Sequence, residues 1–211
     1  MSKIKLCGYI LSVCALLGTA LVYEQLPTQM AIHFNVSGIA DEYASKVVIW
    51  LLASFPLMMM MLFQVLAMVD PKKEAYEKFI KAYDYIVLCV VVMLVAILGI
   101  TIGVNLGYAL NVTMLTQVIV SLLIIGLGNY LVQVKPNYFI GIKTPWTLAS
   151  DRVWQQTHRH IGRLFVLVGV IGLLLCMKAS SETFLIIISA QIGLALYSVI
   201  YSYRQYQKHH H

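Results

Sequence analysis

The fold class is decided by residues 85–104, whose sequence is YIVLCVVVMLVAILGITIGV. None of these 20 side chains is charged. In a helix that rises about 1.5 Å per residue, a stretch of this length covers about 30 Å, which is the thickness of the hydrocarbon core of a membrane. Residues 85–104 therefore predict a membrane-spanning helix.

Five further stretches are long and apolar enough to cross a membrane. The whole chain of 211 residues is 60% hydrophobic and 11% charged, with a mean hydropathy of +0.82. A water-soluble domain carries about 25% charged residues, so this chain lacks the polar surface that it would need in water. The six predicted spans are Leu6–Tyr23, Val47–Val69, Tyr85–Val104, Thr113–Val132, Ile161–Met177 and Thr183–Tyr203.

The positions of lysine and arginine predict how these spans are oriented. In a six-span arrangement, 13 of the 15 lysines and arginines lie on one side of the membrane, and only Lys46 and Lys178 lie on the other. Short loops rich in lysine and arginine stay in the cytoplasm during insertion. We therefore predict an all-α integral membrane protein with six transmembrane helices. Both termini lie in the cytoplasm, because an even number of spans returns the chain to its starting side.

The same spans suggest how the chain is organised. Residues 1–70 hold the first two spans and a structured outer loop, residues 24–46. Residues 71–208 form a four-span region with a basic inner loop, residues 133–160. Residues 209–211 are three histidines that resemble the remnant of a purification tag, so we exclude them from the functional argument.

Polar residues in the middle of the predicted spans are few and uncharged, and Arg163 stands at the start of the fifth span. A charged side chain in the middle of a span costs about 2.5–3.5 kcal/mol on insertion, so such residues usually persist for a function. Because the middle of each predicted span contains none, the pattern weighs against a proton-coupled transporter. Gly99, Gly103 and Gly107 repeat every four residues, which predicts close approach of a neighbouring helix, either within the bundle or in a homodimer.

The outer loop has the pattern of a folded segment. Apolar and polar residues alternate, as in a half-buried strand, and Ser37–Gly38 then predicts a turn. Glu24, Asp41 and Glu42 are acidic and would attract a cationic visitor such as a peptide toxin. They could equally be solvated loop residues, which is the simpler interpretation from the residues alone. The alternating apolar positions are Met30, Ile32, Phe34 and Val36.

The inner loop combines turn, strand and helix signals. Lys135–Asn137 predicts a turn at the membrane exit, and Tyr138–Lys143 predicts an extended segment. From Ser150 onward the pattern is helical. We expect an interfacial amphipathic helix that leads into the fifth span, with Trp146 and Trp154 in the membrane interface. One face of this helix is predicted to carry Trp154, His158, Ile161 and Phe165.

The chain offers little that suggests catalysis. His158 and His160 could be metal ligands, but residues two apart on a helix point in nearly opposite directions. No serine or cysteine lies beside an obvious histidine and orienting acid. We therefore expect neither a metal site nor a cofactor, and we do not expect an enzyme.

The inner and outer loops together resemble the SdpI family. In the inner loop the resemblance rests on Asn129-Tyr130, the continuous stretch Lys135–Leu148, Trp154, Thr157-His158-Arg159 and Gly162–Phe165. In the outer loop, residues similar to the amino-terminal domain that commonly accompanies this family are Pro27, Ile32–Asn35, Gly38, Asp41 and Lys46.

The resemblance implies an immunity protein of a Gram-positive plasma membrane. Such proteins protect the producing cell from a secreted, membrane-active peptide, and they are described as signalling by holding a cytoplasmic DNA-binding repressor at the membrane. The family has no attached cofactor or reaction. The alternatives left open by the residues are a small solute or peptide transporter or channel, and a membrane enzyme that uses the inner loop.

The resemblance also suggests two sets of site residues. The set expected to face the toxin is His33, Asn35, Asp41, Glu42 and Lys46. The set expected in the inner motif or at a partner-docking face is Asn129, Lys135, Pro136, Asn137, Tyr138, Lys143, Pro145, Trp146, Arg152, Trp154, His158, Arg159 and Arg163.

The predicted orientation is testable by chemical labelling. Single cysteines introduced at Ala40, Lys78, Lys143 and Lys208 should divide into two groups when intact cells are treated with a membrane-impermeant maleimide. We expect labelling at position 40 only, because the other three positions lie in the cytoplasm. Labelling of position 143 from outside would overturn the orientation.

Overall fold

The computed structural model describes residues 1–178 and 180–210, and within them six helices are long and apolar enough to cross a membrane. The six-span prediction is therefore confirmed. The long helices are α1 (Lys3–Val22), α2 (Val48–Val69), α3 (Ile80–Asn105), α4 (Val112–Leu131), α6 (Asp151–Leu175) and α7 (Ser181–His210), and the short helix α5 (Pro145–Ala149) lies in the inner loop.

The helices form one bundle with two distinct ends. Helices α1, α2 and α3 pack against one another, α3 also packs on α4, and α4 makes its largest contact with α6, which packs on α7. One end carries a two-stranded hairpin, and we call it the hairpin end. The other holds the inner loop and most of the lysines and arginines, and we call it the cationic end.

The hairpin supplies a small sheet that the all-α prediction lacks. Strand β1 (Gln29–Phe34) pairs with the antiparallel strand β2 (Ala40–Ser45), and the predicted turn contains Gly38 at φ 74°. Strict alternation along β1 was wrong, because Met30 and Ala31 are both buried whereas Ile32 is exposed. Ala31 packs on the end of α3, where its backbone bonds to Asn105, and the register with β2 shifts between Ala31 and His33, beside the exposed Ile32.

The third span begins earlier than predicted. A 3-10 helix (Lys73–Phe79) leads directly into α3, so Asp84 lies one turn inside this helix and is 7% exposed. The expectation that no charged residue lies within a span is therefore wrong at this position. The sequence interpretation missed it because the hydropathy rises only after Asp84.

The predicted amphipathic segment is continuous with the fifth span. Helix α6 begins at Asp151 and continues without a break to Leu175. Ser150 caps its start, because the Ser150 side chain accepts a hydrogen bond from the Val153 backbone N–H. Its inward face carries Trp154, which is completely buried. Its ring is covered by the inner loop and not by lipid, and its predicted depth in the membrane interface stays a prediction.

Close helix packing occurs at other glycines than the predicted stripe. A Cβ atom added to Gly99 or Gly107 would meet nothing within 4 Å, and one on Gly103 would meet only the end of the Leu110 side chain. Instead, a Cβ on Gly162 of α6 would lie 2.7 Å from the carbonyl oxygen of Gly128 in α4. The tight crossing is therefore between α4 and α6.

This crossing gives a prediction with a matched control. Gly162→Ala should destabilise the bundle by about 1–3 kcal/mol, because the new methyl group must push a neighbouring backbone away. Gly193→Ala in α7 places the same methyl group in open space, so it should be neutral or stabilising by up to about 1 kcal/mol. Thermal unfolding in detergent measures both. Equal melting temperatures for the two variants would contradict the packing assignment.

Candidate functional site

The hairpin end contains a recess of about 580 Å³ between the hairpin and the first turns of α4 and α7. Its hairpin wall holds three of the five predicted outer residues, and its helical wall consists of two apolar residues and two threonines. The lining residues are Ile32, His33, Phe34, Asn35, Val36 and Asp41 of the hairpin, Val112, Thr113 and Thr116 of α4, and Phe184 of α7.

The recess carries a solvent-accessible ion pair. His33 Nδ1 lies 2.6 Å from Asp41 Oδ1, and the two side chains are 59% and 42% exposed. The hydrogen bond to Asp41 and the charge of that carboxylate raise the pKa of His33 above its usual value. The pair therefore stays oppositely charged to a higher pH than a free histidine would allow, while both groups remain reachable by a ligand.

The tip of the hairpin is fixed against the helices. Asn35 Oδ1 accepts hydrogen bonds from the backbone N–H groups of Ser37 (2.9 Å) and Ile39 (3.2 Å). The hydroxyl of Thr113 donates to the Val36 carbonyl at 3.3 Å. Asn35 therefore shapes the turn that closes the recess, in addition to lining it.

Glu42 and Lys46 do not join the other three outer residues. Glu42 is exposed and lies opposite His33 in the strand register, but it does not line the recess. Lys46 Nζ donates to the Tyr23 carbonyl at 3.3 Å, stands 4.5 Å from the centre of the Tyr23 ring and lies 4.0 Å from Glu24. Lys46 thus ties the hairpin to the end of α1.

One anchor of the hairpin was not predicted. Asn105, at the end of α3, accepts from the Ala31 backbone N–H at 2.8 Å and donates to the Ala31 carbonyl at 2.9 Å. Its side chain therefore pairs with the backbone of β1 as a third strand would. A polar residue at the outer end of a span was visible in the sequence, but its partner 74 positions away was not.

At the cationic end, Asn137 organises the inner loop. This residue is completely buried, and its Oδ1 accepts from the backbone N–H groups of Phe139 (2.9 Å) and Ile140 (2.7 Å). Its Nδ2 donates to the carbonyls of Lys135 (2.8 Å) and Ile140 (2.9 Å). The predicted turn at Lys135–Asn137 is a bend at Pro136, and Tyr138–Lys143 is a bent loop folded around this amide, not the extended segment that was expected.

Asp70 and Tyr76 connect this loop to the segment between α2 and α3. Asp70 is 2% exposed, and its Oδ2 accepts from the Tyr76 hydroxyl at 2.8 Å and from the Tyr138 backbone N–H at 3.0 Å. The same hydroxyl lies 3.3 Å from Asn137 Oδ1. Neither residue was identified from the sequence as part of the inner site. Asp70 had the sequence signature of an ordinary helix end, since a proline follows it.

Trp154 and His158 form the second buried unit. Trp154 Nε1 donates to the Val134 carbonyl at 2.8 Å, and its ring stacks on His158 with centroids 4.1 Å apart. His158 Nδ1 lies 2.8 Å from the Trp154 carbonyl, and Nε2 accepts from the Ile142 backbone N–H at 3.0 Å. These partners define a neutral ring with its proton on Nδ1. Both nitrogens are therefore used by the backbone.

Glycine is required where the loop passes over this histidine. Gly141 has φ 121°, and a Cβ atom there would lie 2.4 Å from His158 Nε2. Further along, Thr144 and Thr147 form a capping box that starts α5, and the Thr144 hydroxyl lies 3.1 Å from that of Ser202 in α7. The inner loop is thereby fixed to both of its neighbouring helices.

The predicted inner residues consequently fall into two groups. Asn137, Trp154 and His158 are buried within the loop, and Lys135, Pro136 and Trp146 are half-buried, with Trp146 packed on Tyr203 at 4.9 Å between ring centroids. The remainder face outward. The exposed group is Asn129, Tyr138, Lys143, Pro145, Arg152, Arg159 and Arg163.

Comparison with known proteins gives two family matches, one for each loop. Residues 133–202 match the family described as the SdpI/YfhL protein family, and residues 10–60 match a domain of unknown function, DUF1648. The chain is also 24% identical to the "Immunity protein SdpI" of Bacillus subtilis (strain 168) over 200 residues, which are 94% of either chain. The inner region of the chain is thus similar to the SdpI/YfhL protein family, and nearly the whole length of the chain is similar to a Bacillus immunity protein. No solved structure matches the chain.

The SdpI/YfhL match coincides with a physical unit. It begins at the inner loop and ends at Ser202, whose hydroxyl contacts that of Thr144 within the inner loop. The six apolar helices and the likeness to the Bacillus protein together indicate a multi-pass cell-membrane protein.

The role of Asn137 is testable by comparison with Asn129. Asn137→Ala removes the partners of buried backbone groups and should lower stability by at least about 2 kcal/mol, since each buried group left unpaired costs about 1–3 kcal/mol. Asn129→Ala changes the same side chain at an exposed site of the same region, so it should cost less than about 0.5 kcal/mol. The measurement is thermal unfolding in detergent. Equal losses would show that Asn137 does not organise the loop.

Proposed function

We propose that this protein protects the cell that makes it from a secreted peptide toxin. The proposal is carried by the likeness to a protein named for immunity, because that likeness covers 94% of both chains and leaves no large domain of either one unmatched. The two loops that a toxin or a signalling partner would meet both fall within matched families.

The recess at the hairpin end is the proposed contact surface for the toxin. Its charged part is the accessible pair of His33 and Asp41, with Glu42 exposed on the neighbouring register position. Its apolar part includes Phe34 and Phe184. A membrane-active cationic peptide presents both an apolar face and positive charge, so this combination suits it.

The orientation follows from the same proposal. The hairpin end faces the outside, where the toxin arrives, and the cationic end faces the cytoplasm in accordance with its lysines and arginines. A transporter or channel would need a path past the inner loop. The buried side chains of Asn137, Trp154 and His158 occupy that region, which favours immunity over transport.

We further propose that the exposed arginines of α6 form a docking face for a cytoplasmic repressor. Arg152, Arg159 and Arg163 are separated by seven and four residues, so they lie along one stripe of the helix, and all three are exposed. Such a stripe suits an acidic surface on a soluble partner. Because the buried loop residues are separate from this stripe, substituting its arginines should abolish signalling without disturbing the fold.

Survival of a toxin-sensitive host tests the outer half of this proposal. Asp41→Asn combined with Glu42→Gln should lower the tolerated toxin concentration by about two- to thirtyfold, since exposed charges contribute about 0.2–1 kcal/mol each. The loss should be larger at low ionic strength. The matched control is Glu24→Gln, which removes an exposed acid at the same end but outside the recess.

The proposed docking face on α6 is tested in the same strains. Arg152→Ala with Arg159→Ala should abolish induction of a repressor-controlled reporter yet leave survival unchanged. Membrane protein levels are measured in parallel.

Two sets of outcomes would contradict the proposal. Full survival of the Asp41–Glu42 double variant, or an equal loss from Glu24→Gln, would reject the recess as the contact surface. Loss of both survival and induction from the arginine variant at normal protein level would reject the separation of the two faces.

A further inference from the structure

A second cavity lies at the other end of the molecule, between α1, α2 and α3. Its volume is about 490 Å³, within the range of small-molecule sites. It is lined by the first turns of α1 and α3 and by the last turns of α2, so it lies near the cationic end of three neighbouring spans. Its apolar walls include Met60, Phe63, Val87 and Leu88.

A buried carboxylate lines this apolar cavity. Asp84 is 7% exposed, and it accepts a hydrogen bond from the Ser2 hydroxyl. Ser2 in turn caps α1, since its oxygen accepts from the Lys5 backbone N–H at 3.1 Å. Within residues 1–178 and 180–210, no basic side chain lies within 4.0 Å of the Asp84 carboxylate. A buried carboxylate with one hydroxyl partner is costly and has unused acceptor capacity.

The cavity is also lined by a positively charged side chain, Lys5, which does not pair with the Asp84 carboxylate. Lys5 is half-buried. The site therefore combines apolar walls, the Asp84 carboxylate with no ion-pair partner and the Lys5 ammonium group, and the amino-terminal residue Met1 also lines it. A ligand that satisfies all three has an alkyl chain, a cation that donates hydrogen bonds, and an anion.

We propose that this cavity binds a phospholipid whose headgroup carries a primary amine. The lipid ammonium donates to the Asp84 carboxylate, the phosphate pairs with Lys5, and the adjacent part of an acyl chain lies along Met60, Phe63 and Leu88. The cavity is at the ends of the spans, which is the depth where a headgroup meets its acyl chains. A phosphoglycerol headgroup lacks the cation, and a choline headgroup lacks the N–H donors.

Lipid binding to the purified protein in detergent tests the proposal. Native mass spectrometry compares phosphatidylethanolamine, phosphatidylglycerol and phosphatidylcholine with identical acyl chains. We expect the ethanolamine lipid to bind about tenfold more tightly than either of the others, the equivalent of one hydrogen bond to a charged group. Asp84→Asn should remove this preference. Glu77→Gln, which neutralises an exposed acid outside the cavity, should retain it.

A second variant keeps the test decisive if Asp84→Asn does not fold. Ala67→Phe fills the apolar part of the cavity without changing the carboxylate, so it should weaken the ethanolamine lipid about tenfold while Asp84 remains in place. Equal affinity for the three headgroups, a preference that persists in Asp84→Asn, or unchanged binding to Ala67→Phe would each overturn the proposal. Displacement of the lipid by an apolar peptide with no headgroup dependence would assign the cavity to a peptide instead.

Discussion

The structure depends on one constraint, which is that an irregular loop packed into the end of a membrane bundle must find a partner for every buried backbone group. Regular helices satisfy this requirement by themselves, but residues 135–144 cannot. Side chains supply the partners instead. Asn137 pairs with four backbone groups of the loop, Asp70 with the Tyr138 N–H, and His158 with the Ile142 N–H.

This constraint explains why the two ends of the molecule are built differently. At the cationic end, the hydrogen-bonding groups of the buried polar side chains bond to the backbone of the loop. His158, which the sequence offered as a possible metal ligand, is an example, because both of its ring nitrogens have backbone partners. At the hairpin end, two paired strands satisfy each other's backbone, so His33 and Asp41 remain exposed. The recess at one end and the arginine stripe of α6 at the other therefore stay exposed, and they are the surfaces that we propose for the toxin and for a cytoplasmic partner.

Sequence reasoning succeeded where the signal was local. The six spans follow from continuous hydropathy, and the turn at Gly38 follows from adjacent residues. It failed where the signal was long-range: Asp70 and Tyr138 are 68 positions apart, and no periodicity connects them. The close crossing of Gly128 and Gly162 was missed for the same reason, since single glycines on two helices lack the spacing that made Gly99, Gly103 and Gly107 conspicuous. The orientation and the site roles remain predictions.

The most direct test of this account is hydrogen exchange of the protein in lipid nanodiscs, followed by mass spectrometry of the peptide that covers residues 137–143. The account predicts that the amides of Tyr138, Phe139, Ile140 and Ile142 exchange as slowly as those at the ends of α4 and α6, because each donates to a side chain fixed in the bundle. Exchange as fast as that of an exposed loop would contradict it, since the inner loop would then not be the folded unit on which the separation of the two faces depends.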